Sequence, residues 1–132
     1  MKVYFDENLS HYVARAFNLF ECKIKNVEVI STVDALYAGA PDEEVVEHVA
    51  KNGGILFTKD CDYLKAQLIV ELMRSHKIGL VYMKTQRKEE YWDTILLLTK
   101  AYINARNDVF FKMNIPFCYE VMPNGTVKKL CV

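Results

Sequence analysis

Gly54-Ile-Leu-Phe-Thr-Lys-Asp-Cys-Asp-Tyr63 is the stretch of this sequence that decides the fold. Its apolar residues Ile55–Phe57 form a short run of the kind that fills a buried parallel strand. The run ends at Thr58 and is followed by two aspartates, Asp60 and Asp62. Because ligands of open α/β sheets bind outside the carboxyl ends of the strands, these acids are predicted to lie where a functional site would form.

Strand-like and helix-like segments alternate on both sides of this stretch. The patterns predict further strands over 2–5, 26–31 and 78–83, and helices over 9–20, 41–51, 62–75 and 89–107. On the last helix, the predicted packed side carries Trp92, Ile95, Leu96, Thr99, Tyr102 and Ile103. Asn124-Gly125, between strand-like runs at 117–122 and 126–132, predicts a β-hairpin.

This order of elements predicts one α/β domain over residues 1–132. We expect a three-layer α/β/α sandwich with a mainly parallel central sheet and a C-terminal β-hairpin. The length of 132 residues is near the commonest domain size, and a hydrophobic content of 52% is ample for a packed core.

Composition disfavours several classes of protein. No apolar run approaches the ~18 residues of a membrane span, and the N-terminus does not resemble a signal peptide, so a cytoplasmic protein is expected. The four cysteines lack metal-binding spacing and are expected to be reduced thiols. A formal net charge of zero disfavours a nonspecific binder of duplex DNA.

Acidic residues recur at three places that the predicted fold brings to one edge of the sheet. Asp6 follows the first strand, Asp42 and Glu43 open the second helix, and Asp60 and Asp62 follow the third strand. At about 5 Å and an effective dielectric constant of about 20, each pair of like charges costs roughly 3 kcal/mol. A hard divalent cation, Mg²⁺ or Mn²⁺, would offset that repulsion and would favour phosphodiester cleavage.

Each acid also has a structural interpretation. Asp6 could cap the first helix, and Asp60 or Asp62 the third, because aspartate is a preferred N-cap residue. Glu43 and its neighbour Glu44 could simply interact favourably with a helix dipole. The coincidence of three clusters at one predicted edge is what favours a functional site over these separate roles.

Three segments together resemble the short PIN-like branch of the PIN-domain ribonuclease superfamily. They are Phe5-Asp-Glu-Asn-Leu9, Gly39-Ala-Pro-Asp-Glu-Glu44 and Thr58-Lys-Asp-Cys-Asp-Tyr63, and the resemblance covers roughly residues 1–85. It implies a Mg²⁺- or Mn²⁺-dependent endoribonuclease, of a kind often found as the toxin of a toxin–antitoxin pair. The implied partners are an RNA substrate and an antitoxin. Separately, aromatic residues on the 89–107 helix could form a dimer or partner surface instead of packing in the core, and no membrane partner is expected.

The resemblance also implies roles for individual residues. Asp6, Asp42, Asp60 and Asp62 would be the catalytic and metal-binding acids, with Asn8, Glu43 and Thr58 as secondary residues and Thr58 orienting the loop through its hydroxyl. Larger PIN nucleases carry a further glutamate on an early helix, and this chain has no clear equivalent.

Two other functions remain open from the sequence. A response-regulator receiver domain would accept a phosphoryl group on Asp60 and use Lys84 and Thr85 beside it. A catalytically weak PIN-like module would bind RNA or protein without cleavage. Phosphorylation by acetyl phosphate tests the first, and a metal titration followed by thermal melting tests the second.

Overall fold

The computed structural model describes residues 1–21, 27–61, 63, 67–76, 78–85, 90–107 and 117–130. These residues contain one six-stranded sheet. The strands are β1 (Lys2–Phe5), β2 (Glu28–Ser31), β3 (Ile55–Thr58), β4 (Gly79–Met83), β5 (Phe117–Val121) and β6 (Val127–Leu130).

The order of the strands across the sheet is β2-β1-β3-β4-β5-β6. All neighbours from β2 to β5 are parallel, and β6 pairs antiparallel with β5. The chain passes from β1 outward to β2 and then returns across β1 to form β3, so the order reverses between β1 and β3. Crevices at such reversal points, outside the carboxyl ends of the strands, are where open α/β sheets bind ligands.

Five helices connect or flank these strands within the described residues. They are α1 (His11–Glu21), the single turn α2 (Thr32–Ala35), α3 (Asp42–Lys51), α4 (Gln67–His76) and α5 (Tyr91–Ala105). The helix predicted from Asp62 is observed from Gln67, and residues 62 and 64–66 lie outside the described part of the chain. Helix α5 begins two residues after its predicted start, where Glu90 and Asp93 form a reciprocal capping box.

Alternate residues of the strands enter two separate hydrophobic clusters, as the two-residue period of a strand requires. Phe5 and Phe57 belong to a cluster that includes buried residues of α1 and α5. Tyr4 and Leu56 belong to the other cluster, with Val45, Val46 and Val49 of α3. Helices therefore pack against both sets of strand residues, which fixes the loops at the carboxyl ends of β1 and β3 between them.

The predicted packed side of α5 is wrong for three of its six residues, while Ile95 packs against the core as predicted and Thr99 is half-buried. Trp92, Leu96 and Ile103 are 73%, 57% and 50% exposed, whereas Tyr102 is buried as predicted. The other buried residues of the helix are Leu97, Leu98, Ala101 and Ala105. Small alanines allow α5 to approach the sheet closely, and this puts the larger Trp92 and Leu96 on the outside.

The C-terminal hairpin agrees with its prediction. Asn124 accepts a hydrogen bond from the Thr126 amide at 2.9 Å, and Gly125 has a φ of 89° that favours glycine. The α/β class, the mainly parallel sheet and the hairpin are thus confirmed, while a single domain over the whole chain stays a prediction. Among the described residues, no helix is long and apolar enough to cross a membrane.

Candidate acidic active site

Asp6 lies at the carboxyl end of β1 and is only 6% exposed. Its amide still bonds to the carbonyl of Phe57 in β3 at 2.9 Å, so the residue is held by the sheet itself. The Oδ2 atom of Asp6 accepts a hydrogen bond from the Thr58 hydroxyl at 2.8 Å, and its Oδ1 atom accepts one from the Glu7 amide at 3.0 Å. The carboxylate is therefore fixed by residues at the ends of two neighbouring strands.

The structure also tests the interpretation of Asp6 as the cap of α1. The side chain that serves the N-terminus of α1 is Ser10, whose hydroxyl accepts a hydrogen bond from the Tyr12 amide at 3.2 Å. Asp6 instead accepts its hydrogen bonds from Glu7, Asn8 and Thr58. Its predicted structural role as the cap of α1 is therefore wrong.

Thr58 and Asn8 connect Asp6 to the loop that carries Asp60. The fully buried Thr58 hydroxyl accepts a hydrogen bond from the Asp60 amide at 3.0 Å. The Asn8 amide nitrogen approaches Thr58 Oγ1 at 3.3 Å and Asp6 Oδ2 at 3.4 Å, and its oxygen accepts from the Lys59 amide at 3.2 Å. The predicted orienting role of Thr58 thus has a geometric basis, since one hydroxyl links both acidic segments.

Asp42 reaches the same edge of the sheet from α3. Pro41 occupies the N-cap position, where its fixed φ of −60° suits the start of a helix, and Asp42 is the first helical residue. The loop before α3 is held to the loop after β1, because the Gly39 amide donates to Glu7 Oε2 at 2.8 Å. Glu44 is engaged separately, as the acceptor of a hydrogen bond from the Tyr37 hydroxyl.

Asp6, Asp42 and Asp60 lie close enough for their charges to interact. Burial raises the pKa of Asp6; hydrogen bonds from Thr58 and Glu7 oppose this change, and the charge on Asp60 adds to it. Burial also raises the pKa of Asp42, and the charges on Asp60, Asp6 and Glu43 raise it further. Asp6, Asp42 and Asp60 therefore make up the candidate acidic site, and the charge on Glu43 acts on Asp42 as well.

Tyr63 lies beside Asp42, although no role for its hydroxyl was predicted from the sequence. It is fully buried, and its hydroxyl makes no hydrogen bond of ordinary geometry within the described chain. The hydroxyl still lies near enough to the Asp42 carboxylate to oppose the rise in its pKa. Burial and the charges on Asp6 and Asp42 raise the pKa of Tyr63, so the hydroxyl stays protonated and can donate to a ligand.

A hard divalent cation fits the chemistry of the donors. They are carboxylate oxygens, which Mg²⁺ and Mn²⁺ prefer, and their mutual repulsion would fall when a cation binds. The described residues contain no group of three His, Cys, Asp or Glu side chains that could by itself hold an ion. Mg²⁺ is commonly held by one or two carboxylates together with waters and substrate phosphates, so such a group is not required.

Asp62 lies outside the described residues, so its predicted role stays a prediction. Lys84 and Thr85, the residues of the receiver-domain alternative, follow β4 at the same edge of the sheet. The Lys84 amide donates to the carbonyl of Val121 in β5 at 2.8 Å, and its side chain is exposed. A receiver domain would follow its fifth parallel strand with a helix, whereas here the parallel strand β5 is followed by the antiparallel strand β6.

Comparison with known proteins agrees with this architecture. A family model described as a PIN-like domain matches residues 1–85, which include β1 to β4 and the acidic site. No curated protein and no solved structure matches the chain. Since the match covers well over half of the sequence, this chain belongs to the PIN-like domain family.

Proposed function

We propose that this protein is a cytoplasmic, Mg²⁺- or Mn²⁺-dependent endoribonuclease that acts as the toxin of a toxin–antitoxin pair. PIN-like domains belong in general to a nuclease superfamily. The observation that carries the proposal is the buried Asp6 carboxylate, which the Thr58 hydroxyl joins to the Asp60 segment at the ends of β1 and β3, with the charge of Asp42 nearby. Such a cluster at the reversal point of the sheet is suited to phosphodiester chemistry.

The proposed roles follow from the contacts of each residue. Asp6, Asp42 and Asp60 would hold the cation, with Asp62 as the fourth acid of the proposal. A cation bound there would activate a water molecule and stabilise negative charge on the transferring phosphoryl group. Thr58 orients Asp6 and the Asp60 loop through one buried hydroxyl.

Asn8, Glu43 and Tyr63 have supporting roles in the proposed site. Asn8 accepts a hydrogen bond from the Lys59 amide and so holds the loop after β3 against the loop after β1. Glu43 adds negative charge beside Asp42. Tyr63 is protonated and buried, so we assign it the donation of a hydrogen bond to a phosphate oxygen or to a water molecule. The position of this buried hydroxyl beside the Asp42 carboxylate supports the assignment.

Cleavage of a labelled single-stranded RNA in Mg²⁺ or Mn²⁺ tests the proposal. We expect Asp6→Asn and Asp60→Asn to remove cleavage while circular dichroism shows an intact fold. Glu47→Gln is the matched control, because Glu47 is an exposed acid on α3 outside the cluster. Unchanged cleavage in both aspartate variants would overturn the site assignment.

Metal binding can be measured apart from activity. An ion that binds the folded state stabilises it by RT ln(1 + [L]/Kd), or about 2.7 kcal/mol at a concentration one hundred times the Kd. We expect a saturable rise of Tm with Mn²⁺ in the parent protein and a much smaller one in Asp6→Asn. A parent protein without a saturable shift would instead be the catalytically weak module.

The receiver-domain alternative is disfavoured by the family match and by the antiparallel β6. Stable phosphorylation of Asp60 by acetyl phosphate would nevertheless overturn the nuclease proposal. The antitoxin and the homodimer stay proposals. Either partner could bind to α5, which exposes the apolar side chains of Trp92, Leu96 and Ile103.

A further inference from the structure

A groove beside the acidic site has a lining suited to one nucleotide of a bound strand. Its volume is about 170 Å³, and it lies between the loops after β1 and β3 and the first turns of α5. Pockets that enclose whole small molecules are usually about 300–1,000 Å³, so this groove suits part of a larger ligand. Its lining combines polar residues and Tyr91 with an apolar floor; the polar residues are Asn8, Ser10, Lys59 and Thr94, and the apolar ones are Leu9, Val13, Ile95 and Leu98.

The groove and the acidic site share a wall. That wall is Asn8, whose amide nitrogen lies 3.4 Å from Asp6 Oδ2 and whose oxygen accepts from the Lys59 amide at 3.2 Å. Both ends of the Asn8 side chain are thus engaged, which holds the wall in place. Lys59 lies in sequence between Thr58 and Asp60 of the acidic site and also lines the groove.

Tyr91 gives the groove a flat aromatic side. It is the first residue of α5, it is 55% exposed, and its ring makes an edge contact with Trp92 at a centroid distance of 5.9 Å. The acids next to it, Glu90 and Asp93, bond reciprocally to backbone amides of the helix start. Their charges are therefore partly offset by the positive end of the helix dipole.

From this arrangement we propose that the groove binds the nucleotide adjoining the scissile phosphate of single-stranded nucleic acid. Tyr91 stacks on the base and the Lys59 ammonium pairs with a backbone phosphate. A positive charge that follows the backbone and an aromatic ring that accepts any base are the usual elements of recognition without sequence preference. The inference rests on the proposed function, because the acidic site defines which phosphate is the scissile one.

Binding can be measured without cleavage in an Asp6→Asn background with Mg²⁺ present. The probes are a fluorescent single-stranded RNA of about ten nucleotides, within the range that one such binding domain contacts, and the same backbone with abasic residues. We expect Tyr91→Ala to weaken binding of the intact RNA by about 5- to 100-fold, the usual effect of losing one stacked base. It should leave binding of the abasic strand unchanged, and Tyr91→Phe should retain the parent affinity.

Lys59→Ala separates the phosphate contact from stacking. We expect it to weaken both probes equally and to make the slope of log K against log salt shallower by about 0.7, the value for one phosphate contact of a single strand. Phe20→Ala and Lys100→Ala are the matched controls, an exposed aromatic residue and an exposed lysine outside the groove, and should bind as the parent does. Binding of a single-stranded DNA of the same sequence that falls equally in the Tyr91 and Lys59 variants would also support the proposal, because DNA offers the same bases and phosphates.

Several outcomes would overturn the inference. One is a Tyr91→Ala variant that binds both probes with the parent affinity. A second is a variant whose affinity for both probes falls by the same factor, and a third is a groove that binds a peptide but no oligonucleotide. RNA cleavage is measured separately in proteins that keep Asp6, with and without Tyr91→Ala. Cleavage that does not depend on Tyr91 would overturn the groove alone, whereas Tyr91-dependent binding without any cleavage would overturn the nuclease proposal alone.

Discussion

The Thr58 hydroxyl joins both acidic segments, so its removal should disturb them together. Thr58→Val replaces the hydroxyl by a methyl group of similar shape. The buried Asp6 carboxylate then loses the bond of 2.8 Å, and the Asp60 amide loses its acceptor at 3.0 Å. A hydrogen bond to a charged group contributes about 1.5–3 kcal/mol and an unsatisfied buried donor costs about 1–3 kcal/mol.

Water can reach the partly exposed Asp60 segment, so we expect a total loss of about 2–4 kcal/mol in the free energy of unfolding. With an m value of about 2 kcal/mol per molar urea, the midpoint should fall by roughly 1–2 M. Thr58→Ser is the matched control, because it keeps the hydroxyl and loses one methyl group worth about 1 kcal/mol. RNA cleavage should fall in the valine variant and be largely kept in the serine variant.

The pH dependence of this difference gives an independent check. Burial raises the pKa of Asp6 and the Thr58 hydrogen bond opposes that rise, so the valine variant should have a still higher pKa. A raised folded-state pKa means that stability is fully present below the unfolded value of about 3.9 and is lost as pH rises through the folded value. The gap between the variants should therefore be widest near neutral pH. Equal urea midpoints there, or a gap that does not narrow in acid, would refute this reasoning.

Three further changes test other parts of the structure by urea denaturation. Gly79→Ala would push a Cβ into the Phe117 ring and should cost about 1–3 kcal/mol, partly recovered by Phe117→Leu; no recovery would contradict this. Glu21→Gln removes the carboxylate charge 2.7 Å from Arg106 Nε and should cost about 1.5–3 kcal/mol, and an unchanged midpoint would contradict this. Burial raises the pKa of Asp42, so metal-free stability should fall as pH rises above about 4. In Asp42→Asn the free energy of unfolding should fall less with rising pH, and a fall as steep as in the parent protein would contradict this prediction.

The strands and the hairpin could be predicted because each has a local signal. Ile55–Phe57 is a short apolar run followed by polar residues, and Asn124-Gly125 supplies the positive φ that the turn requires. The packed face of α5 could not be predicted in this way. Leu96, Leu97 and Leu98 are consecutive, so apolar side chains occur on several sides and the helical period does not distinguish them.

The acidic residues could be predicted because strand ends and helix starts are visible in the sequence. Asp6 and Asp60 follow apolar runs, and Asp42 follows a proline at a helix start. Tyr63 could not be assigned by the same reasoning, because a buried tyrosine has the same sequence signal whether its hydroxyl is used or not. Its position among three carboxylates becomes visible only when the distant segments are brought together.

The bond between Thr58 and Asp6 spans 52 residues of sequence, and this separation has a consequence for synthesis. On the ribosome, β1 and Asp6 emerge first, but the partner strand and its hydroxyl emerge only after α1, β2 and α3 have been made. A nascent chain that has not yet reached Thr58 therefore lacks both this hydroxyl and the Asp60 carboxylate, whatever structure it has already formed. Translation itself thus delays assembly of the acidic site until the parallel pairing of β1 with β3 is complete.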